Sequence, residues 1–305
     1  MKKILIYSFL FASMFFFFSC DKPAPTQLVD DTQNELEVEL LNNNLETQYL
    51  TSGADTSGIT QDLTSITNLV SVSGIKITNK DNKTVKLSLA QAMFFNKNEP
   101  IRYSNNRLLA YKTLIPGTIE FNGLEAHVVP YRIKFRDLGE FKDTLLGFKY
   151  VLYNVSEYGG SPDPFYFNYN ASVSFEFNPF GPGNGFAFNI PTPPEITGQV
   201  ILSGRREEKN LEVMLKWNEG NSGRISVVVG LIKPNQINSI PVYRIKTADD
   251  GELRIPSRYF NQLPLERFEK IVFTLIRSYE GHHSNGNNDL FASSQSIHTI
   301  VIDIP

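Results

Sequence analysis

The chain has 305 residues, 41% of them hydrophobic and 20% charged, and its formal net charge is −3. That length suits one to two domains once a leader is removed, and so even a charge balance gives no global pull toward nucleic acid. Cys20 is the only cysteine, which excludes an internal disulfide framework.

Lys2 and Lys3 precede an apolar run from Ile4 to Phe18 that Ser8 and Ser13 barely interrupt. A basic n-region followed by an apolar h-region is the pattern of a secretory signal. The run is about 15 residues long, short of the ~20 a helix needs to cross a hydrocarbon core ~30 Å thick, so a transmembrane anchor is the weaker reading. It ends in Phe17-Phe18-Ser19-Cys20, after which the composition turns to Asp21-Lys22-Pro23-Ala24-Pro25. These residues resemble a bacterial lipoprotein signal peptide, in which a small residue precedes the lipidated cysteine; Phe17 stands where that family usually has leucine. The resemblance covers residues 1–20. It implies a signal peptide over 1–19, lipid attachment at Cys20, and a membrane-anchored place in the bacterial cell envelope, on the outer membrane, with its face left open. It also gives the lone thiol of an exported chain a purpose.

Without residues 1–19 the chain has 286 residues and a net charge of −5, of which residues 21–73 carry −8 and residues 74–155 carry +6. The acidic stretch is rich in Asp, Asn, Thr, Ser and Gln, and includes Leu41-Asn42-Asn43-Asn44-Leu45. Such a composition buries little apolar surface. It predicts a lipid-anchored acidic tether over 20–73, largely disordered, that holds a body away from the lipid. Asp21 and the Asp30-Asp31 pair loosely match an outward sorting signal found in some surface lipoproteins. Inside the stretch, Glu35-Leu36-Glu37-Val38-Glu39-Leu40 alternates and reads as a strand or a helix start.

From residue 74 onward the hydrophobic period is two. Ile75 and Ile77 are followed by the turn-like Asn79-Lys80-Asp81-Asn82 and then by Val85, Leu87 and Leu89; Tyr131, Ile133 and Phe135 alternate with Arg132, Lys134 and Arg136. The longest case is Phe165–Asn178, where Phe165, Phe167, Tyr169, Ala171, Val173, Phe175 and Phe177 share one parity. That pattern predicts a half-buried strand or two strands in register. Further strands are expected at Leu211–Trp217, Ile225–Leu231, Ile271–Leu275 and Ile300–Ile304. Short helices are expected only at Leu89–Phe95 and at Ser257–Leu263, the second behind Pro256, which suits a first helical turn. Pro191-Thr192-Pro193-Pro194 withdraws ladder donors and marks a boundary. The expectation is an all-β chain of two antiparallel β-sandwich domains, 74–192 and 193–305. The second loosely resembles bacterial immunoglobulin-like or fibronectin-like modules through Trp217, Gly251-Glu252-Leu253-Arg254-Ile255-Pro256 and Ile271–Tyr279, without the cysteine pair of antibody domains. That resemblance implies a fold and no function.

The chain lacks a Gly-x-Ser-x-Gly elbow, a His-Glu-x-x-His pair, a Walker lysine and a Cys-x-x-Cys pair. No catalytic residue, metal ligand or cofactor is therefore expected. Gly181-Pro182-Gly183-Asn184-Gly185 has the wrong spacing for a phosphate loop and reads as a strand-to-strand loop. His282 and His283 are adjacent, so on a strand they point to opposite faces. Asn285, Asn287 and Asp289 begin like a calcium loop, but Leu290 and Ser296 stand where glycine and glutamate are needed. The aromatic stretch 163–189 is the feature to watch, because exposed rings beside asparagine amides suit a sugar ligand. With one parity taken by the core, Tyr166, Phe180, Phe186 and Phe188 are the candidate ligand platform. Arg132, Lys134 and Arg136, with Lys76, Lys80, Lys83 and Lys86, form a basic face for acidic glycans or the chain's own tether.

The expected function is a non-catalytic binding or structural module of the envelope, contacting a glycan or another envelope protein and no nucleic acid. The alternative is an envelope glycoside hydrolase or other carbohydrate-active enzyme, with Asp163 and Glu176 the acids in the aromatic-rich stretch. A third possibility is a subunit whose sheet edge another chain completes.

Overall fold

The computed structural model describes residues 37–40, 68–106, 108–138, 140–155, 164–220, 223–285 and 288–305. The signal peptide, Cys20, Asp163, Asn287 and most of the acidic stretch lie outside them. The described chain is all-β, a sandwich in which one large sheet carries two small ones.

Strands are numbered in chain order. The hairpin around Asn79–Asn82 joins β2 (Asn68–Thr78) to β3 (Thr84–Arg102). The Asn79 side chain accepts the Asp81 and Lys83 N–H groups, and Asn82 takes φ +57°, a left-handed value asparagine tolerates. β2 begins inside the stretch read as tether to residue 73. Asn68 to Ile75 are buried on both faces, as befits a central strand, and the serines at 71 and 73 disguise its apolar content in the sequence. β3 runs straight through Leu89–Phe95, where a helix was expected. Ala90 and Ala92 favour a helix in isolation, but with Phe94 they fill one parity of a strand, and that tertiary burial decides the backbone.

The first half of β3 pairs with β8 (Glu140–Val155), and β8 with the edge strand β7 (His127–Asp137); the second half of β3 pairs with β4 (Leu108–Leu114). On its other side β2 pairs with β17 (Asn288–Asp303), the one parallel pairing among the described residues. β17 forms a long hairpin with β16 (Lys270–Asn285), and β13 (Arg224–Ile232), β14 (Ile240–Ala248) and β1 (Glu37–Leu40) complete the main sheet. Of the alternating Glu35–Leu40, the described residues Glu37–Leu40 form a strand.

The first small sheet is β10 (Phe186–Pro191), β9 (Ser172–Pro179), β5 (Gly117–Phe121) and β6 (Leu124–Glu125). Its Phe121, Val173, Phe175 and Phe177 meet Val72, Ala92, Phe94, Tyr150 and Leu152 of the main sheet. The second is β11 (Gly198–Ser203), β12 (Glu212–Trp217) and β15 (Glu252–Ile255), which buries Val213, Leu215 and Ile255 against Val227, Val229, Ile245 and Phe273. Leu290 and Ala292 join the first core and Ile300 the second. All three share one parity of β17, so both small sheets lie on the same face of the main sheet. The described residues form one compact unit, and the Pro191–Pro194 segment joins the two small sheets while the main sheet continues beneath both.

The helix expected behind Pro256 is α1 (Ser257–Phe260), with Pro256 as its N-cap residue. Between 164 and 169 the alternation of burial holds without a ladder; Ala171, on the parity read as buried, is exposed, because the chain turns at Asn170 (φ +52°) and the strand itself starts only at Ser172.

Candidate ligand surface

Extended backbone alone alternates side chains, so Phe165 and Phe167 are buried while Tyr166 between them is 61% exposed. Phe165 meets Phe121 at 6.3 Å, and the Phe167 N–H donates to Ser88 Oγ at 3.1 Å. Phe186 and Phe188 lie on β10 opposite Phe177 and Phe175, with ring centroids 5.3 and 5.0 Å from them. Phe188 also stacks on His283 at 3.9 Å. Both rings are half-buried against the first core. Phe180 stands in the loop after β9, 69% exposed, its N–H donating to Pro116 O. The structure therefore brings Phe186 and Phe188 together as a wall of the core and leaves Tyr166 and Phe180 as exposed rings in different loops.

Around Phe180 the exposed apolar surface is larger than the sequence shows. Leu114 lies opposite Phe94, Val128 opposite Tyr150, and Pro130 opposite Phe148. Phe94 meets the Tyr150 ring at 6.1 Å, and the Tyr150 hydroxyl donates to Gly117 O, next to the Pro116 that holds Phe180. Leu114, Val128 and Phe148 are 38%, 47% and 44% exposed. Val128 and Phe148 share the Tyr150 face of the β7–β8 pair, the face that carries the small sheets, and Leu114 and Phe180 lie on the segments that flank its acceptor Gly117. Parity could place Phe148 beside Tyr150 but could not show that it falls beyond the small sheet's cover.

The charged groups buried beside this body are closed on one another. Arg277 on β16 is fully buried and directs Nε to Asp249 Oδ2 at 2.8 Å and Nη2 to Asp249 Oδ1 at 2.7 Å; Nη2 also reaches Asn218 O, and Nη1 reaches Pro194 O and Glu195 O. The Trp217 indole N–H donates to the same carboxylate at 3.0 Å. A side chain on Gly220 would overlap both members of the pair. Along β17, Ser294 Oγ donates to Pro191 O, Ser296 Oγ accepts the Ile196 N–H, and His298 Nδ1 accepts the Gly198 N–H, so the connection between the small sheets is fastened to the main sheet at successive inward positions. Burial and the Glu195 charge push the Tyr169 phenol up to about 12. Burial lowers Lys149, whose Nζ donates to Gln91 Oε1.

His282 meets Phe291 edge-on while His283 faces Phe188, on the opposite side of β16. Among the described residues no three His, Cys, Asp or Glu side chains group to hold a metal ion. On the basic face Arg132 pairs with Asp143, Lys80 with Asp303 and Lys86 with Glu195. Glu176 lies on the exposed face of the first small sheet, opposite Glu120, which in turn is opposite Glu125. No protein-family model matches the chain, and no curated protein matches it either.

Proposed function

We propose that this protein is a lipid-anchored, non-catalytic binding module of the bacterial cell envelope, fixed to the outer membrane through Cys20 and presenting the Phe180 surface to its partner. The observation that carries the binding role is the apolar group of Leu114, Val128, Phe148 and Phe180 around Tyr150. A soluble body leaves such side chains clustered in the open where another molecule covers them. The lipid anchor rests on Lys2-Lys3, the apolar run and Ser19-Cys20. The buried Arg277 and Asp249 are held by each other and by the groups around them, so in this reading the pair is a structural one.

The test is a glycan-array screen together with photo-cross-linking in cells, on the mature protein and on Phe180→Ala, Phe148→Ser and Tyr166→Ala. Capture of one ligand class that Phe180→Ala or Phe148→Ser abolishes supports the surface. Capture indifferent to both moves the site elsewhere. Radiolabelled fatty acid should enter the wild-type chain and not Cys20→Ala; label in both ends the anchor reading. Against the glycoside hydrolase, Glu120→Gln and Glu176→Gln should change no sugar-releasing activity.

A further inference from the structure

The end strand of the main sheet is supplied by the segment that precedes the body. β1 pairs antiparallel with β14 in the register Glu37 with Lys246, Val38 with Ile245, Glu39 with Arg244 and Leu40 with Tyr243. Two acids thus stand opposite two bases, and directly opposed unlike charges favour a strand pair. Val38 is half-buried and packs against the second core. An exposed strand edge is a template for an extended segment, with backbone bonds giving affinity and alternate side chains giving selectivity. The β14 edge selects a strand that is acidic on one parity and apolar on the other, and Glu37–Leu40 is such a strand.

We infer that the outer edge of β14 is the docking site by which the tether is strapped to the body, with the chain's own β1 as its occupant. The inference rests on the lipid-anchor reading for its consequence. At ~3.4 Å per extended residue, the chain from Cys20 reaches at most about 60 Å to Glu37 but about 165 Å to Asn68. Docking of β1 therefore limits how far the Phe180 surface can stand from the lipid, and release of β1 lengthens the available tether nearly threefold. Because the register opposes unlike charges at the end of the sheet, salt weakens the pair.

The experiment uses the full mature chain, wild type and Val38→Asp, with the double charge reversal Arg244→Glu/Lys246→Glu and its partner Glu37→Lys/Glu39→Lys. Amide exchange should rise at least tenfold at the alternate amides of Tyr243–Lys246 that face β1, in Val38→Asp and in each reversal alone, with the amides that face β13 and those of β16 unchanged, and protection should return when both reversals are combined. Unchanged exchange overturns the docking site. Protection that depends on protein concentration overturns the occupant, since the strand then comes from a second copy. On vesicles, energy transfer from a dye at Ile237→Cys, an exposed position, to a lipid acceptor should fall in Val38→Asp; no change there overturns the control of reach. Failure of the anchor reading looks different, because neither protein then associates with vesicles while the exchange result still decides the docking.

Discussion

Arg277 and Asp249 meet through two hydrogen bonds of 2.8 and 2.7 Å with both side chains excluded from solvent. The pair lies where β16, the Pro194-Glu195 connection and Asn218 converge, and every guanidinium nitrogen finds an acceptor there. A buried ion pair is a weak net stabiliser, but breaking it strands a charge at a cost of about 3–5 kcal/mol. Asp249→Ala is expected to lose that much in urea unfolding, and Arg277→Lys to lose a large part of it, since an ammonium cannot reproduce the planar fork. The double variant Arg277→Met/Asp249→Leu should lose much less than the two single losses added. Additive losses would show that the pair's charges are not what the connection depends on.

His298 is buried with both ring nitrogens engaged. Nδ1 accepts the Gly198 N–H at 2.8 Å, so the proton sits on Nε2, which faces Thr78 Oγ1 at 2.9 Å. A second proton would remove the Gly198 bond and place a cation in the interior; burial, then the Lys76 charge, pull the imidazole down to about 4. The folded value lies below the unfolded one of about 6.5, so the unfolded chain binds the proton first as pH falls. The contribution of His298 is thus complete above about pH 6.5, declines down to about 4 and changes no further below that, for a total on the order of 2–3 kcal/mol. His298→Gln should flatten the fall of Tm between pH 6.5 and 4 relative to wild type. Parallel Tm profiles for the two proteins would refute the assignment.

Much of this body is legible because its cores are built on parity. Val173, Phe175 and Phe177, Val213 to Trp217 and Val227 to Leu231 are inward residues that alternation identifies directly. Three features escape it. Asn68-Leu69-Val70-Ser71-Val72-Ser73 is the entry of a strand buried on both faces, and its serines make it look like tether. Ala90 and Ala92 look helical until Phe94, Phe121 and Phe177 close over them. The acceptors of Arg277 come from segments 28 to 83 residues away, and nothing local in the sequence announces that convergence. The candidate platform is half legible: exposure of Tyr166 follows from parity, but only the position of β10 over the core shows that Phe186 and Phe188 line that core.

Two polar atoms in the main sheet, Ser71 Oγ and Gln295 Oε1, are buried without a hydrogen-bond partner among the described residues. Ser71 is opposite Ser293 in the parallel ladder, and Gln295 donates its amide to Ser293 Oγ at 3.2 Å. A buried polar group with no partner forfeits its hydration for nothing, so replacing it with an apolar group of like size is neutral or stabilising. Ser71→Ala is expected to leave urea stability unchanged or to raise it by up to about 1 kcal/mol. A loss above that amount would mean the hydroxyl has a partner whose contact matters to the fold.

Glu120 stands between two other glutamates, Glu176 on β9 and Glu125 on β6, directly opposite each in the ladder. Like charges directly opposed across strands destabilise by about 0.2–1 kcal/mol a pair, and Glu120 takes part in both pairs. Glu120→Gln should therefore raise stability by about 0.5–1 kcal/mol in 10 mM salt. The gain should shrink toward zero at about 1 M salt, where screening reaches only ~3 Å. Glu125→Gln removes one pair instead of two and should gain about half as much. The Glu176 carboxylate accepts the Asn178 amide, so Glu176→Gln keeps an acceptor there and should behave like Glu125→Gln. If Glu120→Gln instead lowered Tm, and lowered it more in the presence of calcium, the row would be a site for a cation, and the exposed face of the small sheet would replace the Phe180 surface as the first place to look for a ligand.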